Sequence, residues 1–214
     1  MKLSRSLIFY FILFLLTYAL FFFLLTRPSV EKAGLPVLGK PAVGVLKTLL
    51  PKATFAARLN TESERTELML GYQNKALFEQ AQQSGQRTSV QFIGYKFYLD
   101  TFAKPMAFFL ALFLITPIGW KRKGIALLIG GGVMWLYFQF EIYLFLRQNI
   151  AENQIGIYDL SGLGQTVYAT LTTLTELGFG LVLAVALWLG LAFRHTGWST
   201  QLEKWLKKVN KKKA

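Results

Sequence analysis

Four stretches of the chain are apolar enough to form membrane-spanning helices. Ser6–Thr26 has no charged residue and consists mostly of Leu, Phe, Ile and Tyr. At 1.5 Å per residue this stretch covers about 30 Å, which is the thickness of the hydrocarbon core of a bilayer. Three further spans are predicted over about Leu99–Trp120, Gly124–Leu146 and Tyr168–Phe193. The pattern predicts a membrane all-α protein with four transmembrane helices.

The first apolar stretch also has the features of a signal peptide, because Lys2 and Arg5 precede it. Its hydrophobic region is too long for that class of segment, and no small-residue cleavage site precedes Arg27. We therefore expect an N-terminal transmembrane helix over residues 1–26, and a three-helix transmembrane region over residues 99–194.

The basic residues predict the orientation of the spans. They cluster in three places beside the apolar stretches: Lys2 and Arg5, Lys121–Lys123, and the tail from Arg194 to Lys213. Four spans place all three clusters on one side, and the positive-inside rule makes that side the cytoplasm. The prediction is a multi-pass protein of the bacterial inner membrane with both termini inside and residues 27–98 in the periplasm.

The external segment, residues 27–98, mixes helical and strand patterns, which predicts a small α+β segment between the first two spans. The prolines limit its first helix to a short piece between Pro41 and Pro51, lying on the outer leaflet. Strands are predicted over Thr54–Leu59, Thr66–Tyr72 and Thr88–Tyr98, and a helix over Asn74–Gln83. About 70 residues are marginal for an independent fold, so we expect this segment to rest on the spans or on a partner.

The tail, residues 195–214, is predicted to be a basic amphipathic helix on the cytoplasmic side. Its apolar and basic residues fall on different faces, and the ones expected at the membrane surface are Trp198, Leu202, Lys204, Trp205, Lys207 and Lys208. Each Lys near anionic lipid is worth about 1 kcal/mol. We expect the anionic inner leaflet as its partner, with docking to a protein as an alternative, and no nucleic acid.

Two carboxylates lie inside the predicted spans. Glu141 is in the third span, with Tyr137 one turn before it, and Glu176 is in the fourth. A charge at the bilayer centre costs about 2.5–3.5 kcal/mol on insertion scales, so such residues face protein or water. One interpretation is a paired site for protons, cations or a cationic ligand. The other is that each carboxylate is protonated, or paired with Lys104, Arg147 or a residue of a partner.

Small residues in the last two spans predict close helix packing. Glu176 is expected to share a helix face with Thr172, Gly180 and Ala184, and the triplet Gly130, Gly131 and Gly132 lies in the third span. The triplet is not a phosphate-binding loop, because no strand precedes it and no Lys-Ser or Lys-Thr follows it.

Composition excludes several kinds of chemistry. The 214 residues are 53% hydrophobic and 16% charged, with a net charge of +13, no Cys and one His, His195. A soluble globular chain is about 45–50% apolar and about 25% charged. Without Cys there is no disulfide, thiolate metal site or cysteine nucleophile. We predict no catalytic, cofactor-binding or metal-binding residue.

The order of these features resembles a family of small membrane proteins that accompany exosortases in bacterial protein sorting. The residues that carry the resemblance are Lys40-Pro-Ala-Val-Gly-Val-Leu-Lys-Thr-Leu-Leu-Pro, Phe92-Ile-Gly-Tyr-Lys-Phe-Tyr, Lys104-Pro105 and Thr116-Pro117. The resemblance implies an accessory role and no catalytic residue. The chain cannot be the exosortase itself, because that transpeptidase needs a cysteine.

Three functions from different classes follow. The first is a non-enzymatic accessory or assembly subunit of an envelope complex, with other integral membrane proteins as partners. The second is a small ion- or proton-coupled transport component that uses Glu141 and Glu176. The third is a membrane enzyme acting on lipid or peptide. The sequence favours the first, because no catalytic constellation and no internal repeat are present.

Overall fold

The computed structural model describes residues 2–60, 66–84, 93–160, 162–193 and 196, with side chains from residue 8 onward. These residues are mostly helical and include one small sheet. Their helices and strands are α1 (Lys2–Leu25), α2 (Pro28–Leu49), β1 (Ala53–Asn60), β2 (Glu67–Asn74), α3 (Lys75–Gln83), β3 (Ile93–Tyr98), α4 (Leu99–Ile115), α5 (Trp120–Glu152), α6 (Leu163–Glu176) and α7 (Phe179–Leu191). The basic tail predicted over residues 195–214 lies outside the described residues, apart from Thr196.

Two of the described helices are long and apolar enough to cross a membrane. They are α1, with its apolar part at Ile8–Leu25, and α5, with 33 residues. Helices α6 and α7 meet the same criterion only as a pair, and they are bent by 69° at the break between them. Helix α4, in the place of the predicted second span, has 17 residues and ends before Thr116-Pro117. The mostly helical fold with a small sheet is confirmed, with two candidate spans, or three if the bent pair is one span. The four-span topology stays a prediction.

The predicted short helix between Pro41 and Pro51 is wrong. Helix α2 begins at Pro28 and continues through Pro36 and Pro41 to Leu49. A proline inside a helix removes one backbone donor and costs about 3 kcal/mol. The apolar face of α2 packs on β1 and β2 and is buried at Leu35, Leu38, Ala42 and Leu46. This burial offsets the prolines, and the local pattern could not show it.

Strands β1, β2 and β3 form an antiparallel sheet in that order. Tyr72 in the central strand is the register partner of Phe55 in β1 and of Ile93 in β3. Alternate residues face the same side, and that side is buried at Phe55, Leu68, Leu70, Tyr72 and Phe97. The strands predicted over Thr54–Leu59 and Thr66–Tyr72 are confirmed within two residues at each end. The third begins at Ile93, and residues 88–92 lie outside the described ranges.

The predicted helix over Asn74–Gln83 is also confirmed. Helix α3 begins directly after β2, and the Asn74 side chain accepts a hydrogen bond from the backbone N–H of Ala76 at 3.1 Å. An Asn at this position satisfies a backbone donor that the first turn leaves unpaired. The same side chain donates to the carbonyl of Ile155 at 3.3 Å, so the cap also binds the loop after α5.

The chain divides into two compact units. The second contains Leu25–Ala103 and Leu136–Phe179, and so holds α2, the sheet, α3, the later part of α5, and α6. The first contains most of α1, α4 from Lys104, α5 up to Trp135, and α7 from Gly180.

Aromatic rings pack α1 against α4 in the first unit. The Phe108 ring meets the Phe14 ring edge-on, with centroids 5.1 Å apart, and the Tyr18 ring at 6.0 Å. Near the C-terminus of α4, the indole N–H of Trp188 in α7 donates to the Thr116 hydroxyl at 2.7 Å. This bond satisfies a buried polar group, as an apolar environment requires.

Candidate functional site

Glu141 is buried in the second unit and has no partner among the residues that the structure describes. Its side chain lies on α5 and is 4% exposed. Among the described residues none forms a hydrogen bond or ion pair with it, so neither Tyr137 nor Arg147 is the partner. The Tyr137 ring instead packs against Phe138 and Phe179, with centroids 5.7 and 6.0 Å apart.

Glu176 has a different environment, because it is the last residue of α6 and is exposed. Exposed apolar side chains surround it in sequence: Leu174, Leu177 and Phe179. It too forms no ion pair or hydrogen bond with any residue in the described part of the chain. A carboxylate beside three exposed apolar side chains is the feature of α6 that needs an explanation.

The predicted face shared by Glu176, Gly180 and Ala184 is wrong. Helix α6 ends at Glu176, and α7 begins at Phe179. Gly178 has a φ of +95°, a value that L side chains rarely adopt. The break removes the four-residue spacing that would align Glu176 with Gly180. Thr172, Gly180 and Ala184 are nevertheless buried, and the Thr172 hydroxyl donates to the carbonyl of Tyr168 at 2.8 Å.

The three consecutive glycines of α5 are not equivalent. A Cβ on Gly130 would lie 2.6 Å from two ring carbons of Phe109, whereas a Cβ on Gly131 or Gly132 would meet nothing within 4 Å. The structure therefore places Gly130 in close packing with α4 and leaves space beside its two neighbours.

Tyr95 in β3 was not singled out by the sequence, yet it lies within electrostatic reach of both span carboxylates. Burial raises the pKa of its phenol, and the negative charges of Glu176, Glu152 and Glu141 raise it further. Its ring stacks on the Phe145 ring of α5, with centroids 5.8 Å apart. The sheet thus brings a neutral phenol toward the carboxylates of α5 and α6. The alternating pattern of β3 did not predict this position of Tyr95.

A partly exposed ionic group joins β2 to β3. The ammonium of Lys96 in β3 lies 3.0 Å from the Glu67 carboxylate in β2, and the hydroxyl of Tyr98 donates to the same carboxylate at 3.0 Å. The hydrogen bond from Lys96 is the main reason why the pKa of Glu67 is lower than its ordinary value of 4.5. The three side chains satisfy one another, so this group stabilises the sheet.

A second polar cluster joins the central strand to the end of α5. The buried Tyr72 hydroxyl donates to the Asn149 side-chain oxygen at 2.5 Å and accepts from the Asn153 amide at 2.9 Å. Burial raises the pKa of Tyr72 to about 12, so the phenol is neutral over the physiological range. The Tyr72 hydroxyl both donates and accepts within this cluster, which is typical of a structural role.

The described residues contain no cluster of three or more His, Asp or Glu side chains that could hold a metal ion.

A shallow hollow of about 490 Å³ lies along the exposed face of α6, lined by Gln165, Thr166, Ala169, Thr170, Thr173 and Leu174. Its three threonine hydroxyls donate to carbonyls one turn earlier on the same helix. Such bonds let threonine lie in an apolar environment, and no charged group converges on the hollow. The predicted surface residues of the tail, Trp198 to Lys208, lie outside the described residues.

No family model, curated protein or solved structure matches the chain.

Proposed function

We propose that this chain is a non-enzymatic accessory subunit of an envelope complex, and that the exposed surface around Glu176 docks on another integral membrane protein. The exosortase-type sorting system is the context that the sequence resemblance implies. We further propose that the chain lies in the bacterial inner membrane with four spans and both termini in the cytoplasm. The bent pair α6–α7 is the last span, and α4 completes the four.

The environment of Glu176 is the observation that carries this proposal. Leu177 beside it is 78% exposed, so the surface is suited to lipid or to an apolar partner. A carboxylate on a lipid-facing surface is costly, by about 2.5–3.5 kcal/mol at mid-depth. A partner that offers a basic or hydrogen-bonding group removes this cost. Because no described residue of this chain does so, we infer that a second protein does.

Site-specific photo-crosslinking tests the proposed surface in the living cell. A photoreactive residue at Leu177 should form an adduct with one membrane protein, and Glu176→Gln should reduce the yield of that adduct. Leu128 in α5 is the matched control site, because it is 79% exposed on a candidate span and lies far along the chain from the break. Glu79→Gln is the control variant, because Glu79 is exposed on α3. Recovery of a lone monomer, with only lipid adducts at Leu177, contradicts the proposal.

Reporter fusions test the proposed topology separately. Fusions after Lys123 and at the C-terminus should report a cytoplasmic location, and fusions near Gln83 and Asn153 should report an external one. A cytoplasmic signal at Gln83 would reverse the assignment without affecting the proposed docking surface.

A second candidate function, ion or proton coupling, rests on Glu141. A buried carboxylate without a partner is a typical site for proton or cation handling in membrane proteins. If this function holds, proteoliposomes with the wild-type chain should show a cation or proton flux that Glu141→Gln abolishes. Absence of flux in the wild type would leave Glu141 as a packing residue.

A further inference from the structure

Arg147 lies near the C-terminal end of α5, between two aromatic rings. Its side chain is 9% exposed, and one of its N–H groups donates to the carbonyl of Tyr158. The guanidinium carbon is 5.4 Å from the ring centre of Tyr158 and 5.5 Å from that of Tyr168. The Tyr168 hydroxyl is hydrogen-bonded to the Tyr143 hydroxyl at 2.9 Å. Cation–π contacts of this kind hold the plane of a guanidinium in a defined orientation.

The charge of Arg147 is not neutralised within the described chain. Neither Glu152 on the same helix nor Asp159 beside Tyr158 forms an ion pair with it, and no other described carboxylate does. Buried arginines are almost always paired. A guanidinium has five N–H donors, and the carbonyl of Tyr158 is its one hydrogen-bond acceptor among the described residues. The residue keeps 9% of its surface accessible, so the described residues do not enclose it completely.

The sequence places Arg147 at a defined depth if α5 spans the membrane. The stretch Gly124–Leu146 contains a single charged residue, Glu141, and covers about 34 Å at 1.5 Å per residue. The hydrocarbon core is about 30 Å thick. Arg147 follows this stretch directly, so it lies at the level of the lipid headgroups in the outer leaflet. Tyrosine is enriched at the same level; Tyr158 and Tyr168 contact the guanidinium, and Tyr143 is hydrogen-bonded to Tyr168.

We propose that Arg147, oriented by Tyr158 and Tyr168, binds a phosphate group. The planar fork of an arginine presents two parallel donors that match two phosphate oxygens, and such pairs are stronger than neutral hydrogen bonds. A phosphate supplies the negative charge that the described residues do not. At headgroup depth the phosphodiester of an anionic phospholipid has this chemistry, and free inorganic phosphate has it too.

The full chain, purified in dodecyl maltoside and stripped of lipid, tests the site with three probes. They are phosphatidylglycerol, a diglucosyl lipid with no phosphate, and inorganic phosphate. Native mass spectrometry counts the retained lipid, and the unfolding midpoint measures stabilisation. Wild-type chain should retain phosphatidylglycerol about tenfold more strongly than Arg147→Gln, since hydrogen bonds to a charged group are worth about tenfold or more in affinity. Arg122→Gln, which removes an exposed arginine at the other end of α5, should retain it as the wild type does.

The probes distinguish the sources of the phosphate. Stabilisation by phosphatidylglycerol alone identifies a lipid headgroup, and stabilisation by inorganic phosphate as well supports a site that also accepts the free ion. Equal retention of the diglucosyl lipid, or unchanged retention in Arg147→Gln, overturns the proposal. If Arg147→Gln does not fold, Arg147→Lys keeps the charge but loses the fork, and should fold and bind more weakly than the wild type. If Arg147→Lys then retains phosphatidylglycerol as strongly as the wild type does, the proposed role of the planar guanidinium is overturned. None of these measurements depends on the partner proposed at Glu176.

Discussion

The glycine triplet of α5 offers a prediction with its own controls. Gly130→Ala should destabilise the first unit relative to Gly131→Ala and Gly132→Ala. A new methyl on Gly130 would overlap the Phe109 ring, two carbons of which lie 2.6 Å from the ideal Cβ position. The same methyl on Gly131 or Gly132 would meet open space within 4 Å. All three replacements exchange the same residue types within one helix.

Two opposing effects set the magnitude. Alanine favours a helix interior over glycine by about 0.8–1 kcal/mol, and this gain applies to all three variants. Overpacking costs about 1–3 kcal/mol, and this cost applies to Gly130→Ala alone. Phe109 has little room to move, because it is buried and its ring packs on Phe113 with centroids 4.6 Å apart. We therefore expect a difference of about 1–3 kcal/mol between Gly130→Ala and its neighbours, with Gly131→Ala and Gly132→Ala slightly stabilising.

The assay is thermal unfolding of the purified full chain in detergent, followed by tryptophan fluorescence. Trp135 and Trp188 belong to the same unit as Gly130, so the signal reports on the region that changes. For a chain of this size, 1 kcal/mol shifts the midpoint by about 2–4 °C. Phe109→Leu makes room for the methyl, so the double variant should be more stable than the sum of the single changes predicts. Equal shifts for all three alanine variants, or no coupling with Phe109→Leu, would refute the reasoning.

Three further predictions concern the second unit, and amide hydrogen exchange in β2 measures each. Tyr72→Phe should destabilise the sheet by about 1–3 kcal/mol, because it removes the hydrogen bonds of the Tyr72 hydroxyl to Asn149 and from Asn153, each worth about 0.5–1.5 kcal/mol; unchanged protection would contradict this. The pKa of Glu67 is lower in the folded chain than in the unfolded chain. The stability that Glu67 contributes is therefore fully present above about pH 4.5, and it is lost as the pH falls through the pKa of the folded state. Glu67→Gln should remove this loss of protection at low pH. If the loss persists in the variant, another group causes it. Gly39→Ala should lower protection, because its Cβ would lie 2.7 Å from the Leu68 side chain, while Gly44→Ala, which meets nothing within 4 Å, should not.

Elements with a strong local pattern were predictable from the sequence. The first predicted span is an uncharged run that consists mostly of Leu, Phe, Ile and Tyr, and α1 occupies it. The strands over Thr54–Leu59 and Thr66–Tyr72 show β-branched and aromatic residues near turn residues, and β1 and β2 lie there. Helix α3 begins beside Asn74, a residue that caps helices. In each case the decisive interaction lies within a few residues along the chain.

Features that depend on distant contacts were not predictable. Helix α2 passes through Pro36 and Pro41 because its apolar face is buried on the sheet, and a local pattern contains no information about that burial. The break between α6 and α7 depends on the positive φ of Gly178, whereas a single glycine in an apolar run is usually tolerated in a helix. The placement of Arg147 between Tyr158 and Tyr168 joins residues on two sides of a loop.

For the candidate site too, the sequence identifies the residues, and the fold shows where they lie. The sequence identifies Glu141 and Glu176 as the unusual carboxylates, because charge inside apolar stretches is visible in the residues themselves. Only the fold separates their environments, since α5 buries Glu141 while the end of α6 exposes Glu176. A paired-carboxylate site would need both groups turned toward one enclosed space. The two environments differ, and for this reason we propose partner docking for Glu176 and ion handling only as a second candidate function for Glu141.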